Sequence, residues 1–296
     1  MEDLERIKSR LDNIRSVAPI LTALRNIAAG SWRLARTRLE AARVFTEELG
    51  TVLAALQSHL KETPKTEVTD GTKRVGLVVV ASERGLCGAF NTVVLNEAAD
   101  QIEAQREKGY ELDIFTLGAK ATRYFERQGL TPRSAHSLPV TTVPSLGLVQ
   151  RLYRKLTEAY ASDQYQRIDI LYTPYQIREA SPPMVAQILP IKVKLSPERE
   201  TAWPEPIIDS DPRHLYEQVR TQWALTELYR YVIESAASEQ SARFRVLDGA
   251  SSNTERLIEE LTLSYNAARQ HAITMEMLDL VGGADLLKSG RDETES

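Results

Sequence analysis

The sequence predicts an α/β fold class of a particular kind: a long antiparallel coiled coil of the N- and C-terminal helices, with a small, mainly parallel α/β domain inserted between them. Three observations carry this. An apolar heptad runs through the first sixty residues, strands and helices alternate through the middle, and a second heptad-like run occupies the C-terminal third.

In the first segment Leu4, Ile7, Leu11, Ile14, Ala18, Leu21, Ala28, Trp32, Ala35, Leu39, Ala42, Leu49, Leu53, Leu56 and Leu60 follow alternating three- and four-residue steps, interrupted only by Arg25 and Thr46. An apolar period of 3.5 residues sustained this long is the mark of a coiled-coil helix. At 1.5 Å per residue it would extend on the order of 80 Å. Pro19 sits inside it, where a missing amide and a steric clash cost roughly 3 kcal/mol, so a kink or break is expected there.

Turn residues from Thr63-Pro64 to Asp70-Gly71 end the first segment. Beyond them Val75–Val80 reads as a buried strand, Asn91–Arg106 as a helix and Leu112–Leu117 as a second strand. Ala119–Gln128 is a helix closed by Gly129, and Leu146–Ala161 is another. Ile168–Tyr172 and Val185–Val193 are further strands. Strands alternating with helices of about ten to fifteen residues indicate a mainly parallel sheet.

Pro197, Pro204, Pro206 and Pro212 mark a second linker. From about Arg213 to Leu287 there is no proline, and Leu225, Leu228, Val232, Leu247, Ala250, Leu257, Leu261, Tyr265 and Ala268 again take heptad-like steps. This helix would span on the order of 110 Å. The expected organisation is therefore 1–62, a coiled-coil helix; 72–196, the α/β domain; and 212–287, the returning coiled-coil helix.

Composition narrows the function. A net charge of −4 excludes a polycation built for nucleic acid, and 27 of the 37 basic residues are Arg, which favours forked contacts with carboxylates. The single cysteine excludes an internal disulfide framework. The N-terminus lacks the apolar core of a secretory leader and the acid-poor character of a transit peptide. No uninterrupted apolar run approaches a membrane span, so membrane association is expected only through partners.

The segment Ser82-Glu83-Arg84-Gly85-Leu86-Cys87-Gly88-Ala89-Phe90-Asn91 follows a strand and precedes a helix, where an α/β fold could cradle a phosphate. Its spacing matches neither phosphate-binding glycine pattern and no lysine follows. Arg84, Gly85, Cys87, Gly88 and Asn91 are therefore read as a structural turn, with Asn91 near the helix N-cap. Cys87 lies near Arg84 and a helix start, which could lower a thiol pKa. His59, His136, His214 and His271 show no spacing that supplies a base or a metal set, so catalytic residues, metal and cofactors are all expected to be absent.

Arg15, Arg25, Arg33, Arg36, Arg38 and Arg43 face only Glu40 as a counter-charge between residues 15 and 43. The stretch is either a solvated helix face or a docking surface for an acidic partner. DNA fits poorly because a base-reading surface is missing.

At this point the residues carry a resemblance. Lys73-Arg74-Val75-Gly76 followed by Arg84-Gly85-Leu86-Cys87-Gly88 and Asn91 resembles the pattern K-R-V-G…D-R-G-L-C-G-x-x-N of gamma subunits of F-type ATP synthases, with Glu83 in place of the family's Asp. Ala237-Ser238-Glu239-Gln240-Ser241-Ala242-Arg243, then Leu263, Tyr265-Asn266, Ala268-Arg269-Gln270, Ile273-Thr274, Glu276 and Val281-Gly282-Gly283-Ala284, is similar to the family's C-terminal signature. The resemblance implies a non-catalytic rotor shaft that turns inside a hexamer of alpha and beta subunits. It also implies contacts with epsilon and a membrane c-ring, and a peripheral place on the cytoplasmic side of the cell inner membrane. Ala272–Leu287 would be the bearing end, and Arg269, Gln270 and Thr274 would touch a catalytic-subunit loop, with Met277 on the apolar tip beyond them. Arg33 and Arg36 are the expected contacts for acidic loops of the catalytic subunits.

Departures fall in the shaft. The family's K-A-M-x-M-V-A-x-x-K-M-R is Thr22-Ala23-Leu24-Arg25-Asn26-Ile27-Ala28-Ala29-Gly30-Ser31-Trp32-Arg33, and K-x-A-T-D-N is Asp248-Gly249-Ala250-Ser251-Ser252-Asn253. They point to a divergent or alternate copy of the family. The paired cysteines of the chloroplast-type regulatory insertion are absent. Two other classes remain on sequence alone: a scaffold using the same coiled coil, and a small-molecule enzyme built on the α/β domain.

Overall fold

The computed structural model describes residues 2–60, 73–162, 165–176, 181–193 and 208–292, with the backbone alone at 2, 58 and 282–292. The linker read from Thr63 to Gly71, and Pro197, Pro204 and Pro206, lie outside the described residues. Helix α1 covers Glu2–Ser58 and α5 covers Pro212–Asp292. Between them come β1 (Arg74–Val80), α2 (Phe90–Glu107), β2 (Glu111–Leu117), α3 (Ala119–Arg127) and β3 (Ser134–His136), then α4 (Leu146–Ala161), β4 (Arg167–Tyr172) and β5 (Met184–Leu189).

The sheet has the order β3-β2-β1-β4-β5. β1 is parallel to β2 and β4, β3 is parallel to β2, and only β5 is antiparallel. Central β1 is buried along nearly its whole length, which explains its unbroken apolar run. Its alternate side chains face different partners. Leu77 and Val79 pack with Val94, Ala98 and Ile102 of α2 and Phe125 of α3. Val78 and Val80 share a core with Val149, Leu152 and Leu156 of α4 and with Leu225, Leu228 and Val232 of α5.

Two expectations in this region change. The strand expected over Val185–Val193 stops at Leu189, where the peptide bond to Pro190 is cis and proline has no amide for the ladder. Short β3 was not anticipated; Ser-Ala-His has no alternation to betray a three-residue edge strand.

The chain divides into two compact units, residues 27–246 and residues 1–26 with 247–296. In the larger unit the α1 seam buries Ala28, Ser31, Ala35, Leu39, Ala42, Thr46, Leu53 and Leu56 at heptad steps. Thr46, an apparent interruption, turns its hydroxyl back to the Ala42 carbonyl at 2.9 Å and so buries no unmet donor. The helices run antiparallel: Trp32 stacks near Phe244 at 5.7 Å between centroids, Arg43 pairs with Glu234 at 2.7 Å, and Leu53 and Leu56 meet Tyr216. Residues 224–241 of α5 are buried on more than one side, as a helix caught between a sheet and another helix must be.

In the smaller unit the direction is the same. Arg15 reaches the Thr262 hydroxyl at 3.3 Å, and Arg25 pairs with Asp248 at 3.3 Å. Arg25, the second interruption of the heptad, thus has its charge met across the pair. Of the kink or break expected at Pro19, the break does not occur: α1 continues through it as one helix, with the ring exposed. One lost hydrogen bond is offset where Ala18 and Leu21 on either side keep the half-buried seam going.

Candidate functional site

The turn after β1 is built around Asn91 and Ser82. The Asn91 side chain accepts from the Ser82 amide at 3.0 Å and donates to the Ser82 hydroxyl at 2.8 Å, and its Nδ2 lies 3.1 Å from Cys87 Sγ. The Ser82 hydroxyl donates in turn to the Arg84 carbonyl at 2.5 Å. Helix α2 begins at Phe90 with Ala89 at its N-cap, so Asn91 is not the cap; it staples the turn shut from inside the first helical turn. Leu86 and Gly88 both take positive φ, +61° and +57°, which folds the chain tightly enough to bring Cys87 inward. Cys87 is buried, and burial pushes its thiol pKa up, outweighing nearby positive charge. The lowering that proximity to Arg84 suggested is therefore not the net result.

Glu83 faces the other way. Its carboxylate accepts from the Ala119 amide at 3.1 Å and the Leu138 amide at 2.9 Å, placing a negative charge at the α3 N-terminus. Gly118, just before that helix, has φ +93°, and a Cβ there would run into the Ala81 carbonyl. The anion-binding end of α3 is thus filled by the chain's own carboxylate.

The two sequence signatures meet in space. Arg243 of α5 donates through Nη2 to the Arg84 carbonyl at 3.1 Å and through Nε to the Gly85 carbonyl at 3.3 Å. Its Nη1 pairs with Glu239 at 2.6 Å, one helical turn earlier, with both side chains almost wholly buried. Beside this clasp, Ser238 donates to the Pro174 carbonyl at 2.8 Å. Helix α1 holds the same domain through Ser31 to the Thr141 carbonyl at 3.0 Å, Trp32 to the Tyr175 hydroxyl at 3.1 Å, and Arg38 to the Pro144 carbonyl at 3.4 Å. Sequence reasoning missed the Arg243–Glu239 clasp, although the i, i+4 acid–base spacing inside the second signature was its visible trace.

Burial raises the Glu239 carboxyl pKa, and Arg243 only partly opposes it. A raised carboxyl pKa means that the folded chain holds this proton more tightly than the unfolded chain does. Its favourable contribution is complete below the ordinary value of 4.5 and is lost as pH rises through the folded value. Urea midpoints of the wild type and Glu239→Gln, compared at pH 4 and pH 7, should therefore shift in favour of Gln at the higher pH. Parallel pH profiles would contradict the assignment.

The basic stretch resolves into paired and unpaired members. Arg15, Arg25, Arg38 and Arg43 are taken by Thr262, Asp248, Pro144 and Glu234. The Arg33 and Arg36 guanidinium groups make no hydrogen bond or ion pair with any described residue, and they stand one turn apart on one face of α1, Arg33 exposed and Arg36 half-exposed. Toward the C-terminus Arg269, Gln270, Thr274 and Met277 are all exposed on α5. Thr274 only returns its hydroxyl to the Gln270 carbonyl at 2.9 Å. Ile273, Met277, Leu278 and Leu280 are 54%, 68%, 60% and 70% exposed, an apolar surface larger than a free helix end normally presents.

A family model described as ATP synthase matches residues 3–287. The ATP synthase gamma chain of Nostoc punctiforme is 32% identical, covering 97% of this chain and 100% of the relative. That of Cyanothece sp. is 30% identical with the same coverage. The aligned length of 319 positions exceeds the chain, so the Nostoc relative carries residues without a counterpart here. Among solved structures, a chain of the Euglena gracilis mitochondrial ATP synthase, from an assembly of OSCP, F1 and c-ring, superposes with a TM-score of 0.65 at 17% identity. It covers 98% of this chain and 96% of that one. A chain from the central stalk and c-ring of the Tetrahymena thermophila enzyme gives 0.55 at 18% identity, covering 78% and 99%.

Proposed function

This chain belongs to the ATP synthase gamma family, and from that premise we propose that it is the central rotor shaft of an F-type ATP synthase. In this role it couples ion flow through the membrane sector to ATP synthesis or hydrolysis by turning within the alpha–beta hexamer. The observation that carries the reading is the match of nearly the whole chain, 3–287, to one family whose two signatures meet here at the Arg243 clasp. A shaft must transmit torque from one end of the chain's fold to the other without slipping, and stiff paired helices bolted to a side domain suit that task.

The chain is non-catalytic in this reading, and the catalytic work belongs to its partners. Segments 1–62 and 212–287 form the axle, and 72–196 forms the foot toward epsilon and the c-ring. The assembly sits peripherally on the cytoplasmic side of the cell inner membrane, held by partners; no described helix is long and apolar enough to cross a membrane. Arg269, Gln270, Thr274 and Met277 contact the catalytic subunits near the bearing, where the exposed apolar tip is sheathed. Rotation regulates ATPase activity and ion flow because each shaft orientation favours a different state of the catalytic site it faces.

Affinity purification of the tagged chain from its native membrane tests this. Alpha, beta, epsilon and c subunits should co-purify in one complex with ATPase activity; recovery without any catalytic subunit would sink the proposal. Cys87 provides a second check. As a turn thiol with no reacting partner, its replacement by Ser or Ala should leave ATPase of the assembled complex within about a factor of two, a ΔΔG‡ of only ~0.4 kcal/mol. A hundredfold loss with intact assembly would give the thiol a direct part in the chemistry.

A further inference from the structure

A cavity of about 470 Å³ opens beside the Cys87 turn, within the larger unit. Its volume falls in the range of about 300–1,000 Å³ typical of small-molecule sites. Phe90 and Val93 of α2, Pro182 and Pro183 ahead of β5, and Ala242 and Val246 of α5 supply apolar walls. Of the polar residues that interrupt them, three bear on what the cavity could hold. Thr173, only 6% exposed, lines the cavity, and its buried Oγ1 has no hydrogen-bond partner among the described residues. The buried Ser181 Oγ, also from a lining residue, is likewise unmet. Arg245 is the one charged residue among the described lining, exposed, its side chain without an ion pair or hydrogen bond to any described residue.

Buried hydroxyls are nearly always satisfied in folded proteins, so two orphans in one wall mark a place where something else supplies the partner. Apolar walls ask for a hydrocarbon or aromatic body, the hydroxyls for an oxygen, and the Arg245 guanidinium for a negative charge. Among the described lining residues no acidic side chain opposes an anion. Nearby Glu239 is already held by Arg243. Cys87, also in the wall, stays a neutral thiol because burial disfavours its ionised form.

We propose that this cavity is a binding site for a small anionic amphiphile of the medium-chain monocarboxylate class, its chain against Phe90, Val93 and Val246 and its carboxylate shared between Arg245 and the orphaned hydroxyls. The site is independent of the rotor reading, since it uses neither the arginine face nor the α5 tip. An extended peptide suits it less well, because the lining offers side-chain hydroxyls rather than a free strand edge.

Titration calorimetry of the full chain with sodium decanoate, and separately with uncharged decanol, tests the proposal. Decanoate should bind saturably at one site per chain. Arg245→Gln should weaken decanoate about tenfold and leave decanol unchanged, since only the charge-assisted contact is lost. Ala242→Phe, which fills the cavity, should abolish both. Should Ala242→Phe fail to fold, Thr173→Val takes its place and should weaken decanoate while preserving the wall's shape. No saturable binding by the wild type, or equal decanoate affinity in the wild type and the folded variants, would overturn it.

Discussion

Arg243→Ala is expected to destabilise the chain by about 3–5 kcal/mol, the cost of breaking a buried ion pair from one side. Three losses coincide. Glu239 keeps its carboxylate in a buried place with no counter-charge, and the Arg84 and Gly85 carbonyls lose their shared donor. The turn that carries the first signature then loses the hydrogen bonds that Arg243 gives it from α5. Thermal unfolding followed by circular dichroism should show a midpoint lower by on the order of 10 °C. Arg243→Lys should recover only part of the loss, since an ammonium cannot reproduce a fork that serves a carboxylate and two carbonyls together. A loss below about 1 kcal/mol would show that the clasp is incidental to the fold, in the manner of an exposed pair.

The second large effect is expected at Arg33 and Arg36. They are the members of the basic stretch left unpaired among the described residues, while Arg15, Arg25, Arg38 and Arg43 are occupied within the chain. We propose that they face the acidic loops of the catalytic subunits and guide the shaft electrostatically. Exposed pairs are worth about 0–1 kcal/mol each and are screened by salt, so either single change should do little. Reversing both, Arg33→Glu with Arg36→Glu, should reduce ATP-driven ion pumping on the order of fivefold at low ionic strength. ATP hydrolysis should fall less, and the difference should shrink as salt rises. Pumping equal to wild type at low salt would reduce the pair to a solvated helix face.

Much of the architecture was legible because it rests on periodicity. The α1 heptad, the buried run of β1 and the bounds of α4 all follow from apolar spacing, which the structure uses as the sequence suggests. What escaped was set by contacts distant in sequence. Arg25 and Thr46 look like faults in the seam until Asp248 and the Ala42 carbonyl are seen beside them. Pro19 signals a break by local rules, yet the continuing seam of the helix outweighs one missing hydrogen bond. The basic stretch is similar: its charge count is visible in sequence, but which arginines are already taken depends on Glu234, 191 residues beyond Arg43, and on loop carbonyls. The Arg243 clasp spans 158 residues to Gly85 and could not be read from either signature alone.

Rotation itself is the most direct test of the shaft reading. Lys108 lies exposed at the end of α2, whereas Cys87 is buried, so Lys108→Cys supplies one accessible thiol for a bead. With the alpha–beta hexamer fixed to a surface and ATP supplied, the bead should turn continuously in one direction, at a rate that follows ATP hydrolysis. A complex that hydrolyses ATP while the bead only fluctuates about a fixed angle would contradict the shaft reading.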